Sequence, residues 1–199
     1  MGSLYKILAK LLANRLQGVI GSVISDSQTA FVKNRQILNG ILIVNEVVDE
    51  ARKNQKNLML FKVDFEKAYD LVYWGYLDSI LGHVSFLVLW RKWIRKCVST
   101  ATTSILVNRS HTNEFMLKRG LRQGDPLSPF LFLAAAEGLT IMMKSLVETQ
   151  YSQVIALVET NPVVVSHLQF ADDTLLLGNK SWTNVRALRA ALVILEAMS

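Results

Sequence analysis

Apolar residues recur at helical spacing over the first 53 positions. Leu4, Leu8, Leu11, Leu12 and Leu16 share one helical face, which predicts an amphipathic helix over residues 3–17, its end loosened by Gly18 and Gly21. Ser25 to Arg35 follows neither the helical nor the strand period and reads as a loop ending in two cations, Lys33 and Arg35. Over residues 37–53, Ile37, Ile41, Val44 and Val48 form a second stripe, with Glu46, Asp49, Glu50 and Arg52 on the outer face. The period then changes. Leu58 to Phe65 is a short apolar run that predicts a central strand delivering Asp64 at its C-terminal end.

Helical character returns from Glu66 to Leu81, and a Trp-rich helix follows over residues 86–99. Thr102 to Val107 and Glu114 to Leu117 read as a strand pair joined by Asn108 to Asn113. Lys118 to Pro129 is a loop by its glycines and prolines; Ser128 is placed to cap, and Pro129 to begin, a helix running to residue 148. A variable-looking segment, Tyr151 to Asn161, comes next. Two apolar runs, Val163 to Phe170 and Thr174 to Leu177, then flank Asp172-Asp173 and predict a β-hairpin. A last amphipathic helix begins near Trp182. Helices first, then strands alternating unevenly with helices, give an α+β class with a largely antiparallel sheet.

Composition narrows the class. Of 199 residues, 51% are hydrophobic and 19% charged, which excludes a disordered chain. Phe130 to Met143 is the richest apolar run, but it is shorter than the roughly 18 residues of a membrane span and carries Glu137, so it reads as a buried helix and no membrane partner is expected. The single cysteine, Cys97, cannot form an internal disulfide, and an intracellular protein of nucleus or cytoplasm, not a secreted one, is expected. The net charge of +6 suits a phosphate-rich partner.

Two strand ends present acids, Asp64 and the pair Asp172-Asp173. The dipeptide alone reads as a polar turn. If the two strands are neighbours in one sheet, three carboxylates share a small volume, and only divalent metal makes that favourable. Oxygen-only ligands select Mg²⁺ or Mn²⁺ over zinc, and two such ions about 3.5–4 Å apart would serve an in-line displacement at phosphorus. Trp74, Trp90, Trp93 and Trp182 read as core or helix-packing residues, and ordinary roles are expected of His83, His111 and His167.

Four stretches, in order, resemble the reverse transcriptase of non-LTR (LINE-type) retrotransposons, with a plant source expected. Ser27-Gln28-Thr29-Ala30-Phe31-Val32-Lys33-Asn34-Arg35 resembles the early fingers motif, and Phe61-Lys62-Val63-Asp64-Phe65-Glu66-Lys67-Ala68-Tyr69-Asp70 the first aspartate motif. Arg119 to Pro129, with Arg122-Gln123-Gly124-Asp125 at its centre, resembles the nucleotide-pocket loop, and Phe170-Ala171-Asp172-Asp173 the aromatic-x-Asp-Asp signature.

The resemblance implies a right-hand polymerase palm with part of the fingers. It divides the chain into helical fingers (1–57), palm (58–82), a connection with the pocket loop (83–128) and palm with the Asp-Asp hairpin (129–199). It implies RNA-directed DNA polymerase chemistry on an RNA template, a DNA primer and dNTPs, with Asp64, Asp172 and Asp173 as catalytic metal-site carboxylates for two Mg²⁺ or Mn²⁺ ions. Tyr69 takes the position of the gate against a ribose 2′-hydroxyl, Phe65, Arg122, Gln123 and Gly124 the nucleotide pocket, and Arg35 and Lys62 phosphate contacts. Against the family pattern, the chain begins after an Arg-Pro-Ile-Ser-like segment and stops before the lysine-bearing motif and the thumb. Arg109 stands where a turn glycine is expected. The alternative reading is a catalytically dead remnant that at most binds nucleic acid.

Overall fold

The structure, a computed structural model, describes residues 3–100, 102–149, 155–157 and 163–198. Most of the Tyr151 to Asn161 segment lies outside them. The chain divides into two compact units, one from Met1–Gly18 and Lys67–Ala135, the other from Val19–Glu66 and Ala136–Met198.

The second unit is built on a three-stranded antiparallel sheet. Strand β1 (Leu58–Val63) is the run expected to be central, and it pairs with β9 (Asp173–Asn179), which pairs in turn with β8 (His167–Phe170). The Val163 to Phe170 run divides at Ser166: its first half, β7 (Val163–Val165), pairs with β6 (Ile155–Leu157). Helix α2 (Ile37–Lys53) covers the sheet, with Val47 fully buried against Val165, Leu168 and Leu177 and with Ile43 and Val44 packed beside it. The buried face is thus Ile43, Val44, Val47 and Ala51. Ile37 and Ile41, expected on the inner stripe, are about half exposed. The expected stripe and the observed face share Val44 and differ by a rotation of the helix that the sheet contact selects.

Helix α1 (Ser3–Val23) runs past both glycines that were expected to loosen it. Leu12 and Leu16 are buried with Ala9, Ala13 and Ile20, and Ile24 continues the burial. That packing outweighs the roughly 1 kcal/mol cost of a helical glycine. Leu4, Leu8 and Leu11 lie on the other, exposed side.

In the first unit, the segment after Asp64 forms two helices, α3 (Ala68–Leu71) and α4 (Trp74–His83), separated by Val72 and Tyr73. Helix α5 (Val88–Ser99) follows, tied to α4 by the Arg91–Asp78 ion pair. The expected 102–117 strand pair is two short ladders: β2 (Thr102–Thr103) with β5 (Phe115–Met116), and β3 (Leu106–Val107) with β4 (Ser110–His111). Asn108 and Arg109 form the β3–β4 turn at φ 48 and 67. Arg109 therefore does occupy a glycine position, at a cost of about 1–2 kcal/mol.

Helix α6 (Ser128–Glu148) is long and apolar enough to cross a membrane by length and composition, yet more than half of it is buried within the protein, as in a core helix. Ser128, expected as its cap, is its first residue, and the turn before it is held by Asp125, whose Oδ1 accepts the Leu127 N–H at 2.9 Å. Helix α7 (Trp182–Met198) closes the chain. Trp182 is 79% exposed at its first turn and does not pack in the core.

Candidate active site

Ladder register decides whether the acids meet. In β1–β9 pairing, Val63 stands opposite Thr174; in β8–β9 pairing, Phe170 stands opposite Asp173. Asp64, the residue after Val63, and Asp173, the residue before Thr174, thus leave the same end of one sheet. Asp172 sits in the two-residue turn just before Asp173. The pair is not a tip: Asp173 is already the first residue of β9, and the tip is Ala171-Asp172.

The side chains are not drawn into a cage. Among the described residues, no three His, Cys, Asp or Glu side chains converge closely enough to hold a metal. Lys62, also at this end of β1, holds Asp173 instead, Nζ to Oδ1 at 3.0 Å, with both side chains more than half exposed. The hydrogen bond and charge of Asp173, with a smaller contribution from Asp64, push the Lys62 ammonium above its ordinary value. A cation already stands among these carboxylates. The donors are oxygens, exposed or half-exposed, and by chemistry they suit a hard divalent ion.

Arg35 departs from the expected phosphate contact. Its Nη1 donates to the carbonyls of Ser25 (2.5 Å) and Gln28 (2.9 Å), and its Nη2 to those of Gly21 and Ile24 (both 3.1 Å). Asp26 pairs with it at 3.0 Å. The guanidinium closes the C-terminal end of α1, where free carbonyls attract cations. Sequence spacing gives no sign of this, because it depends on where the loop folds back.

Phe65, beside Asp64, is half-buried. Tyr69, in α3, stacks on Phe132 with centroids 4.6 Å apart and planes 12° from parallel, which fixes its ring. The pocket loop docks onto this segment: Leu121 N–H donates to the Tyr69 carbonyl and Gly120 N–H to that of Val72, both at 2.8 Å. Trp74 Nε1 donates to the Gly120 carbonyl at 2.9 Å. Gly120 adopts φ +91, and a Cβ there would lie 2.8 Å from the Asp70 carbonyl oxygen, so only glycine fits.

Past that anchor, Arg122 and Gln123 line a cleft of about 660 Å³ with Tyr5, Thr102, Thr103 and Glu114. Gly124, exposed at φ +78, follows them. The Arg122 guanidinium lies over the Tyr5 ring, 5.0 Å from its centroid, and the Tyr5 hydroxyl donates to Asp125 at 2.6 Å. Burial and that carboxylate raise the Tyr5 hydroxyl well above the ordinary tyrosine range, so it stays a neutral donor. Tyr5 is a site residue that the sequence reading missed; its signal is a lone tyrosine in a helix whose other large apolar residues are all aliphatic.

Against known proteins, residues 1–198 match the family described as reverse transcriptase (RNA-dependent DNA polymerase). The chain is 30% identical over 177 residues to the transposon TX1 uncharacterized 149 kDa protein of Xenopus laevis, covering 87% of this chain and 13% of that protein. It is also 30% identical over 176 residues to the retrovirus-related Pol polyprotein from the type-1 retrotransposable element R2 of Popillia japonica, covering 88% of this chain and 24% of that one. It therefore spans no more than about a quarter of either relative's length. Among solved structures, telomerase from Candida albicans, in complex with a fragment of telomeric RNA, superposes with a TM-score of 0.62 at 13% identity, over 96% of this chain and 33% of that one. The fold is thus that of the right-hand polymerases. With the match running across nearly its whole length, the chain belongs to the reverse transcriptase family, and its relatives place it among those of non-LTR retrotransposons.

Proposed function

We propose that this chain is the core of an RNA-directed DNA polymerase, which adds dNTPs to the 3′-end of a DNA primer along an RNA template. The observation that carries the reading is the register: Val63 opposite Thr174 sets Asp64 and Asp172-Asp173 at one end of one sheet. The family generally uses divalent metal ions; the finer proposal is two Mg²⁺ ions held by Asp64, Asp172 and Asp173. When bound, such ions activate the primer hydroxyl and stabilise the leaving pyrophosphate.

The chain's own residues have these tasks. Asp64, Asp172 and Asp173 would hold the cations with Lys62 displaced from Asp173, and the freed ammonium would be available to a phosphate. Arg122 offers a planar donor set for phosphate oxygens. Gln123 and Gly124 form the floor for base and sugar, with glycine allowing close backbone approach. Tyr69, its ring fixed by Phe132, crowds a 2′-hydroxyl. Phe65 supports the nucleotide beside Asp64. An intracellular setting in nucleus or cytoplasm belongs to the same reading.

The test is primer extension on an RNA template with Mg²⁺, comparing the wild type with Asp172→Asn. The reading expects template-directed incorporation that the substitution abolishes; incorporation that survives it refutes the assigned role. A nucleic-acid-binding remnant would instead show salt-sensitive RNA binding with no metal-dependent incorporation.

A further inference from the structure

A buried glutamine, 143 residues away in sequence, holds the turn that carries Asp172. We infer that Gln28 is a positioning residue: its side-chain amide clasps both backbone polar groups of Ala171 and so fixes where Asp172 leaves the turn. The inference rests on reading Asp172 as a metal-site carboxylate.

Ala171 has φ 55, a left-handed conformation that disfavours any residue with a Cβ; the first central position of such a two-residue turn more often holds glycine. Its N–H and C=O lie beyond the last ladder pair, Phe170 with Asp173, and need partners from elsewhere. Gln28 supplies both. Its Oε1 accepts the Ala171 N–H at 3.0 Å, and its Nε2 donates to the Ala171 carbonyl at 3.2 Å. The same Oε1 accepts the Ala30 N–H at 3.0 Å. A primary amide is the side chain that copies a peptide group, with one acceptor beside one donor. Glutamate keeps the acceptor and loses the donor; methionine keeps the length and loses both.

The clasp is itself rigidly mounted. Gln28 is 1% exposed, so water does not compete for its amide. Ser27 to Thr29 runs parallel to β8 as an added edge: the Gln169 N–H donates to the Ser27 carbonyl at 2.7 Å and the Thr29 N–H to the Gln169 carbonyl at 3.0 Å. From the other side, Arg35 donates to the Gln28 carbonyl. The guanidinium thus holds the loop, the loop holds the amide, and the amide holds the turn. Groups that orient metal ligands in this way typically change metal affinity by about 10–100-fold when removed.

The experiment is site-resolved amide hydrogen exchange by NMR, with a parallel Mn²⁺ titration, on the full 199-residue chain. It compares wild type with Gln28→Met, Gln28→Glu and Asp172→Asn. With Gln28→Met, exchange at the Ala171 amide rises about tenfold, as expected for one lost hydrogen bond, while the Leu177 amide inside the sheet is unchanged. Mn²⁺ affinity falls about tenfold in the same variant. Gln28→Glu, which keeps both accepted bonds, retains wild-type exchange at Ala171; if the methionine variant does not fold, protection of the Ala171 amide in the wild type decides, an unprotected amide overturning the inference. Unchanged exchange at Ala171 in Gln28→Met, equal acceleration at Ala171 and Leu177, or faster exchange at Ala171 in Gln28→Glu overturns the inference. Should wild type and Asp172→Asn bind Mn²⁺ alike, the metal reading fails separately, and exchange at Ala171 still decides whether Gln28 holds the turn.

Discussion

Lys62 and Asp173 form an ion pair at 3.0 Å across neighbouring strands, so that an ammonium stands among the acids to which a divalent cation is assigned. The two cations compete for one carboxylate. Lys62→Met should therefore tighten Mn²⁺ binding about two- to fivefold, the modest effect of removing an exposed pair. In Asp173→Asn the same change should do nothing, which a double-mutant cycle on Mn²⁺ titrations measures. A loss of affinity on removing Lys62 would contradict the competition.

A second prediction concerns acid stability. His167 is buried, with Nε2 near the hydroxyls of Ser27 (3.0 Å) and Thr140 (3.1 Å) and Nδ1 near that of Ser166 (2.9 Å). Burial, helped by Lys144, lowers its pKa to about 4. Because the folded value lies below the ordinary 6.5, the unfolded chain binds this proton first as pH falls, and stability is lost between 6.5 and about 4. The loss reaches about 2 kcal/mol by pH 5. Glu137, raised by burial, acts in the opposite sense, being stabilising below its unfolded value and less so as pH rises through its folded one. Urea unfolding at several pH values should show a slope over this window that His167→Gln removes; an identical slope in the variant would contradict the assignment.

Gly120→Ala tests the mounting of the pocket loop. The positive φ and the 2.8 Å approach to the Asp70 carbonyl oxygen together predict a cost of about 1–3 kcal/mol. For a chain of this size that is a fall in Tm of several degrees, roughly 2–4 °C per kcal/mol. An unchanged melting curve would show that the loop yields freely.

What could be read from the sequence was what leaves a periodic or contiguous trace. The strand ending at Asp64, the helix after Pro129 and the hairpin around the acids follow from runs of apolar residues and their punctuation. Which face of α2 is buried did not, because Ile37, Ile41, Val44 and Val48 form one stripe and Ile43, Val44, Val47 and Ala51 an overlapping one, and the sheet chooses between them. Arg35 looked like an exposed cation because its five oxygen partners come together only when residues 21–28 wrap around it. His167 and Gln28 were illegible for a related reason: each has a partner more than a hundred residues away, and a polar residue that will be buried resembles one that will not.

The central claim, that Asp64 and Asp172 act on one cation site, is tested most directly by Mn²⁺ binding followed by electron paramagnetic resonance in wild type, Asp64→Asn and Asp172→Asn. The account predicts a tight site in the wild type that each substitution alone weakens at least about tenfold, with the double substitution weakening it little further. Mn²⁺ binding that survives Asp64→Asn unchanged, or losses that simply add, would show that the two ends of the sheet's acidic edge work apart.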